Sequence, residues 1–153
     1  MKEEKIIIGR RDKIDLPDFA IQNISAKVDT GAYTSSIHCI NAKVTGIKKK
    51  ILTFSIVDPT NADVSDKRYH THEFTEKIIR NSFGQQEKRY VIKTHILIFN
   101  QVMETQFSLS DRSEMRHPVL LGRKLLKKKF IVDVSKFNLS YKQKKKKKRR
   151  SQS

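Results

Sequence analysis

The chain has 153 residues, a single Cys, and 33 Lys and Arg against 16 Asp and Glu. That length suits one domain. The lone Cys39 excludes an intrachain disulfide and a four-cysteine zinc site, and the net charge of +17 favours acidic partners or substrates. The charged start Met1-Lys2-Glu3-Glu4-Lys5 is followed by only three Ile, too few for a signal-peptide core, and the later apolar run Ile96–Phe99 cannot span a bilayer. A soluble, cytoplasmic protein with no membrane contact is expected.

Strand patterns dominate. Lys5 to Gly9 is a short β-branched run, and Ile24 to Val28 is an apolar strand that runs into Asp29-Thr30-Gly31-Ala32. A buried strand seldom ends on a lone carboxylate unless something pairs with it or uses it, although Asp and Gly are also ordinary turn residues. Ile37 to Val44 alternates imperfectly, and Ile51 to Val57 has two usable faces. Asp58-Pro59-Thr60-Asn61 breaks the chain, and the polar stretch 58–68 predicts a mobile loop or hairpin tip. Gly84 marks a second candidate tip. Tyr90 to Phe99 reads as a long strand, and Met103 to Leu109 alternates as a half-exposed strand should. Pro118 to Leu121 is a short apolar strand that stops at Gly122. Arg123 to Lys129 is the clear helical pattern, and Phe130 to Val134 returns to strand. Many short strands separated by turns predict a small closed or sandwiched β-domain.

Residues 142–150 hold eight basic residues and no acid. Like charges in a block repel and bury no apolar area, so 142–153 is expected to be a disordered basic tail on a domain of residues 1–141. Without those eight the body still carries 25 basic residues against 16 acidic, so tail and body are basic independently.

The segments Ala26-Lys27-Val28-Asp29-Thr30-Gly31-Ala32, Arg89-Tyr90-Val91-Ile92, and Arg112 to Arg123 with Met115, Pro118 and Leu120-Leu121-Gly122 occur together and in order. In this combination the chain resembles the retropepsin-like aspartic proteases, and within them a bacterial family known as ATP-dependent zinc proteases or RimB-like retropepsins. The resemblance implies an all-β fold, a small closed β-barrel of the acid-protease type with one short C-terminal helix. It implies that Asp29 is catalytic, that Thr30, Gly31 and Ala32 shape its loop, and that Leu120, Leu121 and Gly122 support that loop from beneath. It also implies a flap, expected within 58–90. The residues after Asp-Thr-Gly-Ala depart from the retroviral pattern. Tyr33, Thr34, Ser35 and Ser36 stand where acidic partners of the Gly-Arg arginine would be, so Arg123 needs another partner or faces substrate.

Hydrolysis by carboxylates needs two of them on one water, one ionised and one protonated, sharing a proton. One Asp-Thr-Gly supplies one carboxylate, so a homodimer is expected, with two Asp29 side chains facing across its two-fold axis. Arg89, Arg112, Arg116 and Arg123 are candidates for a basic cleft that attracts acidic protein or peptide, glutamylated ribosomal protein tails included. The family's association with ATP-grasp glutamate ligases makes such a ligase a candidate partner. No phosphate-binding Gly-rich loop is present, so no nucleotide cofactor is expected. For zinc, the candidate ligands are His38, Cys39, His70, His72, His95 and His117. His70 and His72 share a face on a strand, but no third ligand lies at local spacing, so no metal site is expected. Two alternatives stay open: a non-enzymatic basic β-domain that binds RNA or ribosomes, with its tail as docking arm, and a zinc-dependent protease.

Overall fold

β-Branched and aromatic residues at alternate positions favour a pleated, half-buried sheet, and here they build the whole domain. The computed structural model describes residues 4–80, 83–111 and 116–152. The strands are β1 (Ile6–Ile8), β2 (Arg11–Leu16), β3 (Ile21–Val28), β4 (Ser35–Thr45), β5 (Ile51–Ile56), β6 (Arg68–Thr71), β7 (Phe74–Arg80), β8 (Gln86–Ile98), β9 (Gln101–Ser110), β10 (Val119–Leu121) and β11 (Phe130–Val132). The helices are α1 (Ala62–Ser65), α2 (Arg123–Lys129) and α3 (Leu139–Gln152).

Six strands close on themselves in the order β10, β3, β2, β8, β9, β4 and back to β10. The β10–β3 and β4–β9 pairs are parallel. The other neighbours in the ring are antiparallel. Closure removes free edges from the wall. Inward-facing Ile14, Leu16, Ile24, Ile37, Ile92, Ile96, Phe107 and Leu121 have at most 1% of their surface exposed. Each such side chain contributes on the order of 1.5–3 kcal/mol of burial. β5 and β6 extend the sheet from β4, and β1 pairs with β11 in a separate parallel ribbon. The expected small closed all-β barrel with a short helix after its last wall strand is what the chain forms.

β8 has two jobs. Its residues from Val91 to Ile98 pair with β9 in the wall, while Gln86 to Ile92 pair with β7. The β7–β8 hairpin therefore leaves the barrel, turning near Gly84, whose φ of +78° suits glycine. It lies across the end of the range expected for a flap.

One expectation holds in part and another is corrected. The polar stretch 58–68 joins β5 to β6, an antiparallel pair, so it is the connection of a hairpin, but it is packed and partly helical rather than open. Asp58 Oδ1 accepts hydrogen bonds from the Thr60 amide and hydroxyl, α1 follows, and Val64 and Tyr69 pack into the core. The basic segment from 142 onward is helical, as the body of α3, rather than disordered. Asp12, almost fully buried on β2, accepts the amide hydrogens of Ser140 (2.9 Å) and Tyr141 (3.1 Å), two of the unpaired donors of the helix start. Lys144 Nζ then bridges Asp15 (2.8 Å) and Asn23 (2.9 Å). These anchors come from residues more than a hundred positions away, which offsets the local repulsion over the first turns.

Candidate active site

Val28 is the last residue of β3, and the chain turns at once through Asp29-Thr30-Gly31-Ala32. Four sets of bonds fix that turn. The Asp29 amide donates to the Leu121 carbonyl (2.9 Å), because β10 runs parallel beside β3 with Leu121 opposite Val28. The Gly31 amide donates to Asp29 Oδ1 (2.9 Å). The Arg123 and Lys124 amides, at the start of α2, donate to the Ala32 and Tyr33 carbonyls (2.8 and 2.9 Å). Arg123 Nη1 donates to the Thr30 carbonyl (2.9 Å), and its guanidinium lies 5.7 Å from the centre of the Tyr33 ring. Arg123 thus finds its partners in the loop itself.

β10 is wedged between β3 and β4, and Gly122 ends it where nothing larger fits. A Cβ there would come within 2.8 Å of the Thr34 carbonyl carbon and the Tyr33 oxygen, both backbone. Its amide donates to Ser35 Oγ (3.0 Å). Leu121 points into the core with none of its surface exposed, and half-buried Leu120 points the other way.

Asp29 opens onto a cleft of about 320 Å³ lined by Ala32, Thr34, Ser36, Ser108, Ser110 and Leu120, with Lys77, Arg89 and Val91 contributed by the β7–β8 hairpin. Lys77 and Arg89 are directly opposite each other across the hairpin. Like charges at such positions repel, and Glu87, 3.7 Å from Arg89, gives partial compensation. Among the described residues Asp29 Oδ2 has no hydrogen-bond partner, so one oxygen is held and the other is left open on a residue that lines the cleft.

Of the four arginines expected around a basic cleft, Arg89 lines it. Arg116 lines a neighbouring hollow that shares Leu120 with the cleft, Arg123 braces the loop, and Arg112 lies outside the described residues. Thr30 and Gly31 are exposed on the outer side of the turn. Lys77 and the serines were not anticipated. The register that places Ser36 opposite Ser108 and His38 opposite Ser110 depends on the distant β4–β9 pairing, and the signal available was that the polar face of β9 changes from Glu104 and Gln106 to the small Ser108 and Ser110.

The histidines are dispersed. His95 pairs with Asp18 (2.8 Å), His72 bonds the Lys50 carbonyl, His38 contacts the Ser110 carbonyl, and His117 shares a 2.6 Å hydrogen bond with Ser25 Oγ. Among the described residues no three His, Cys, Asp or Glu side chains are grouped so as to hold a metal ion. Cys39 is buried, and burial pushes its thiol pKa up to about 12. No helix among the described residues is long and apolar enough to cross a membrane.

A wedge strand beside an Asp-Thr-Gly turn in a closed six-stranded barrel is a specific arrangement, and the comparisons agree with it. The RimB-like family model, described as retropepsin-like aspartic endopeptidase RimB, matches residues 7–145. The chain belongs to the RimB-like family. The match runs past residue 141 into α3, in keeping with the anchored start of that helix. The chain is 32% identical over 138 residues to a protein of Shewanella pealeana named probable alpha-L-glutamate ligase, and 33% identical over 130 residues to one of the same name from Desulfotalea psychrophila. These alignments cover 88% and 84% of this chain but 30% and 28% of the relatives, so this RimB-like chain spans less than a third of their length. A crystal structure of a protein of unknown function from Legionella pneumophila subsp. pneumophila str. Philadelphia 1 superposes with a TM-score of 0.65 at 25% identity, covering 88% of this chain and 97% of that one.

Proposed function

We propose that this RimB-like chain is a homodimeric aspartic endopeptidase in which Asp29 of each copy activates a shared water. The observation that carries this reading is the Asp29 carboxylate: one oxygen fixed by the Gly31 amide, the other open to a cleft roofed by a hairpin. The ionised carboxylate takes a proton from the water as its oxygen attacks the peptide carbonyl. The protonated carboxylate hydrogen-bonds the carbonyl oxygen, and a proton then passes to the departing amine. The second carboxylate comes from a second copy, across a two-fold axis beside the exposed Thr30 and Gly31. Gly31 adds no side chain to the turn at that approach, and a Cβ there would crowd Asp29 Oδ1 at 3.2 Å.

Lys77 and Arg89 in the cleft favour substrates with acidic side chains. The name of the longer relatives supports the same direction, and glutamylated protein tails, ribosomal ones included, are the substrates we propose, with a glutamate ligase as functional partner.

Asp29→Asn should lower peptide turnover at least about a thousandfold, because the amide cannot serve as a base, and the circular dichroism spectrum should not change. Activity per chain should fall on dilution as the dimer separates. Full activity of Asp29→Asn, or of a proven monomer, sinks the reading. Loss of activity with a chelator and its recovery with zinc would transfer it to a metal-dependent mechanism.

A further inference from the structure

Beside the cleft lies a second hollow of about 520 Å³, lined by Arg10, Arg11, Lys27, Arg116 and His117, with Val28 and Leu120 as its apolar floor. Leu120 belongs to both hollows, and Val28 precedes Asp29 directly, so the two are contiguous along the β3–β10 ridge. Among the described residues no acidic side chain lines this hollow. Among the described residues none of its four Lys and Arg side chains forms an ion pair, although Lys88, Arg89, Lys93 and Lys144 elsewhere in the chain do.

The cations are also positioned. The Arg10 and Arg11 guanidiniums lie 4.9 and 4.7 Å from the centre of the Phe137 ring, and their backbones are tied to 136 and 138 through the Arg10 amide (2.8 Å) and the Arg11 carbonyl (2.9 Å). His117 is held by Ser25. Asp58 is the acidic group felt at His117, but no direct ion pair offsets the grouped cations among the described residues, and a bound anion would relieve their repulsion.

From this juxtaposition we infer that the hollow is a second carboxylate subsite, which grips an acidic side chain of the same peptide whose backbone crosses Asp29. The inference rests on the peptidase reading and extends it. The cleft, with Lys77 and Arg89, takes one acidic residue near the reacting bond, and the Arg10–Arg11–Lys27–Arg116 hollow takes another further along. Such an enzyme recognises a run of acidic residues rather than a single one and favours long acidic segments over short ones. A peptide fits better than a nucleic acid because the hollow continues into the cleft at Leu120, and because the ring of Phe137, which Arg10 and Arg11 reach, is already covered by them and by Lys142.

The test uses the full chain carrying Asp29→Asn, so that binding is read without cleavage. Fluorescent hexaglutamate and diglutamate are titrated by anisotropy. Hexaglutamate should bind more tightly, and adding Lys27→Gln or Arg116→Gln should each cut that length advantage about tenfold or more, the scale of one lost charge-assisted hydrogen bond. Both side chains are exposed, and a circular dichroism melt confirms folding. Lys49→Gln, on a remote loop, removes the same charge and should leave the advantage intact. Equal losses in all three variants would reduce the effect to general attraction and overturn the subsite. So would an unchanged length advantage, or oligouridylate outcompeting hexaglutamate through the same residues. Wild-type chain that cleaves no peptide would overturn the peptidase reading while leaving these binding constants to stand.

Discussion

Asp12, on β2, and Asp29, just past the end of the neighbouring β3, both collect backbone N–H groups, yet they are set up for opposite ends. Asp12 is 1% exposed, and both its oxygens are used, by the amides of Lys13, Tyr141 and Ser140. Asp29 is half-buried, lines the cleft and holds one amide, with its second oxygen unpartnered among the described residues. A carboxylate whose lone pairs are filled by its own chain fastens structure; one left partly unfilled is available for chemistry. The contrast lies in neighbours, since neither residue differs from the other in kind.

The sharpest way to break this contrast is at the support of the Asp29 turn. Gly122→Ala should cost ~1–3 kcal/mol, a fall in Tm of several degrees, because the added methyl meets backbone that cannot rotate away. Turnover should fall with it as the turn shifts. Asp29→Asn, by contrast, should move stability by less than about 0.5 kcal/mol. A Gly122→Ala chain of undiminished Tm and activity would show that the wedge strand tolerates a shift.

At the other carboxylate, Asp12→Ala should cost about 1–3 kcal/mol, since it strands the Ser140 and Tyr141 amides, and hydrogen exchange in the first turn of α3 should quicken. Asp12 also has a pH signature. Burial is the largest influence on it and raises its pKa above 3.8, against the lowering by its backbone hydrogen bonds. The folded state therefore holds this proton more tightly than the unfolded chain. Its contribution to stability is fully present below 3.8 and is lost as pH rises through the raised folded value. Asp12→Asn should remove that component from the pH dependence of unfolding. Asp12→Asn and wild type with parallel profiles between neutral pH and 3.8 would contradict the assignment.

The smallest effect concerns Cys39, on the wall strand β4. Its thiol, 3% exposed and held protonated by burial, should react with a disulfide reagent about a hundredfold more slowly in the folded chain than in denaturant. Rapid labelling under native conditions would mean that β4 opens.

What could be read from the sequence was whatever is encoded locally. α2 has the boundaries expected of Arg123–Lys129, because a glycine stop and an amphipathic turn announce it. β9 follows its alternation, and the Asp29 turn and Gly122 were visible as motifs. β2 and β7 escaped because Arg11-Asp12-Lys13 and Thr75-Glu76-Lys77 look like surface, and their pairing is decided by distant strands. α3 was misjudged for the same reason. Lys142 to Arg150 repel one another locally, and the carboxylates that seat the helix lie on β2. Arg123 offered no local clue to its partner, which is a carbonyl on the opposite side of the turn.

The length of β8 has a mechanical consequence. Its first residues are held by β7 alone, Val91 and Ile92 are held from both sides, and the remainder is riveted into the wall. The strand is a beam clamped at one end. Bending of the hairpin pivots at Val91, itself a cleft residue, and Arg89 two positions beyond sweeps only a short arc. A load placed on the tip enters the barrel wall at Val91 and Ile92, beside the cleft that Asp29 lines.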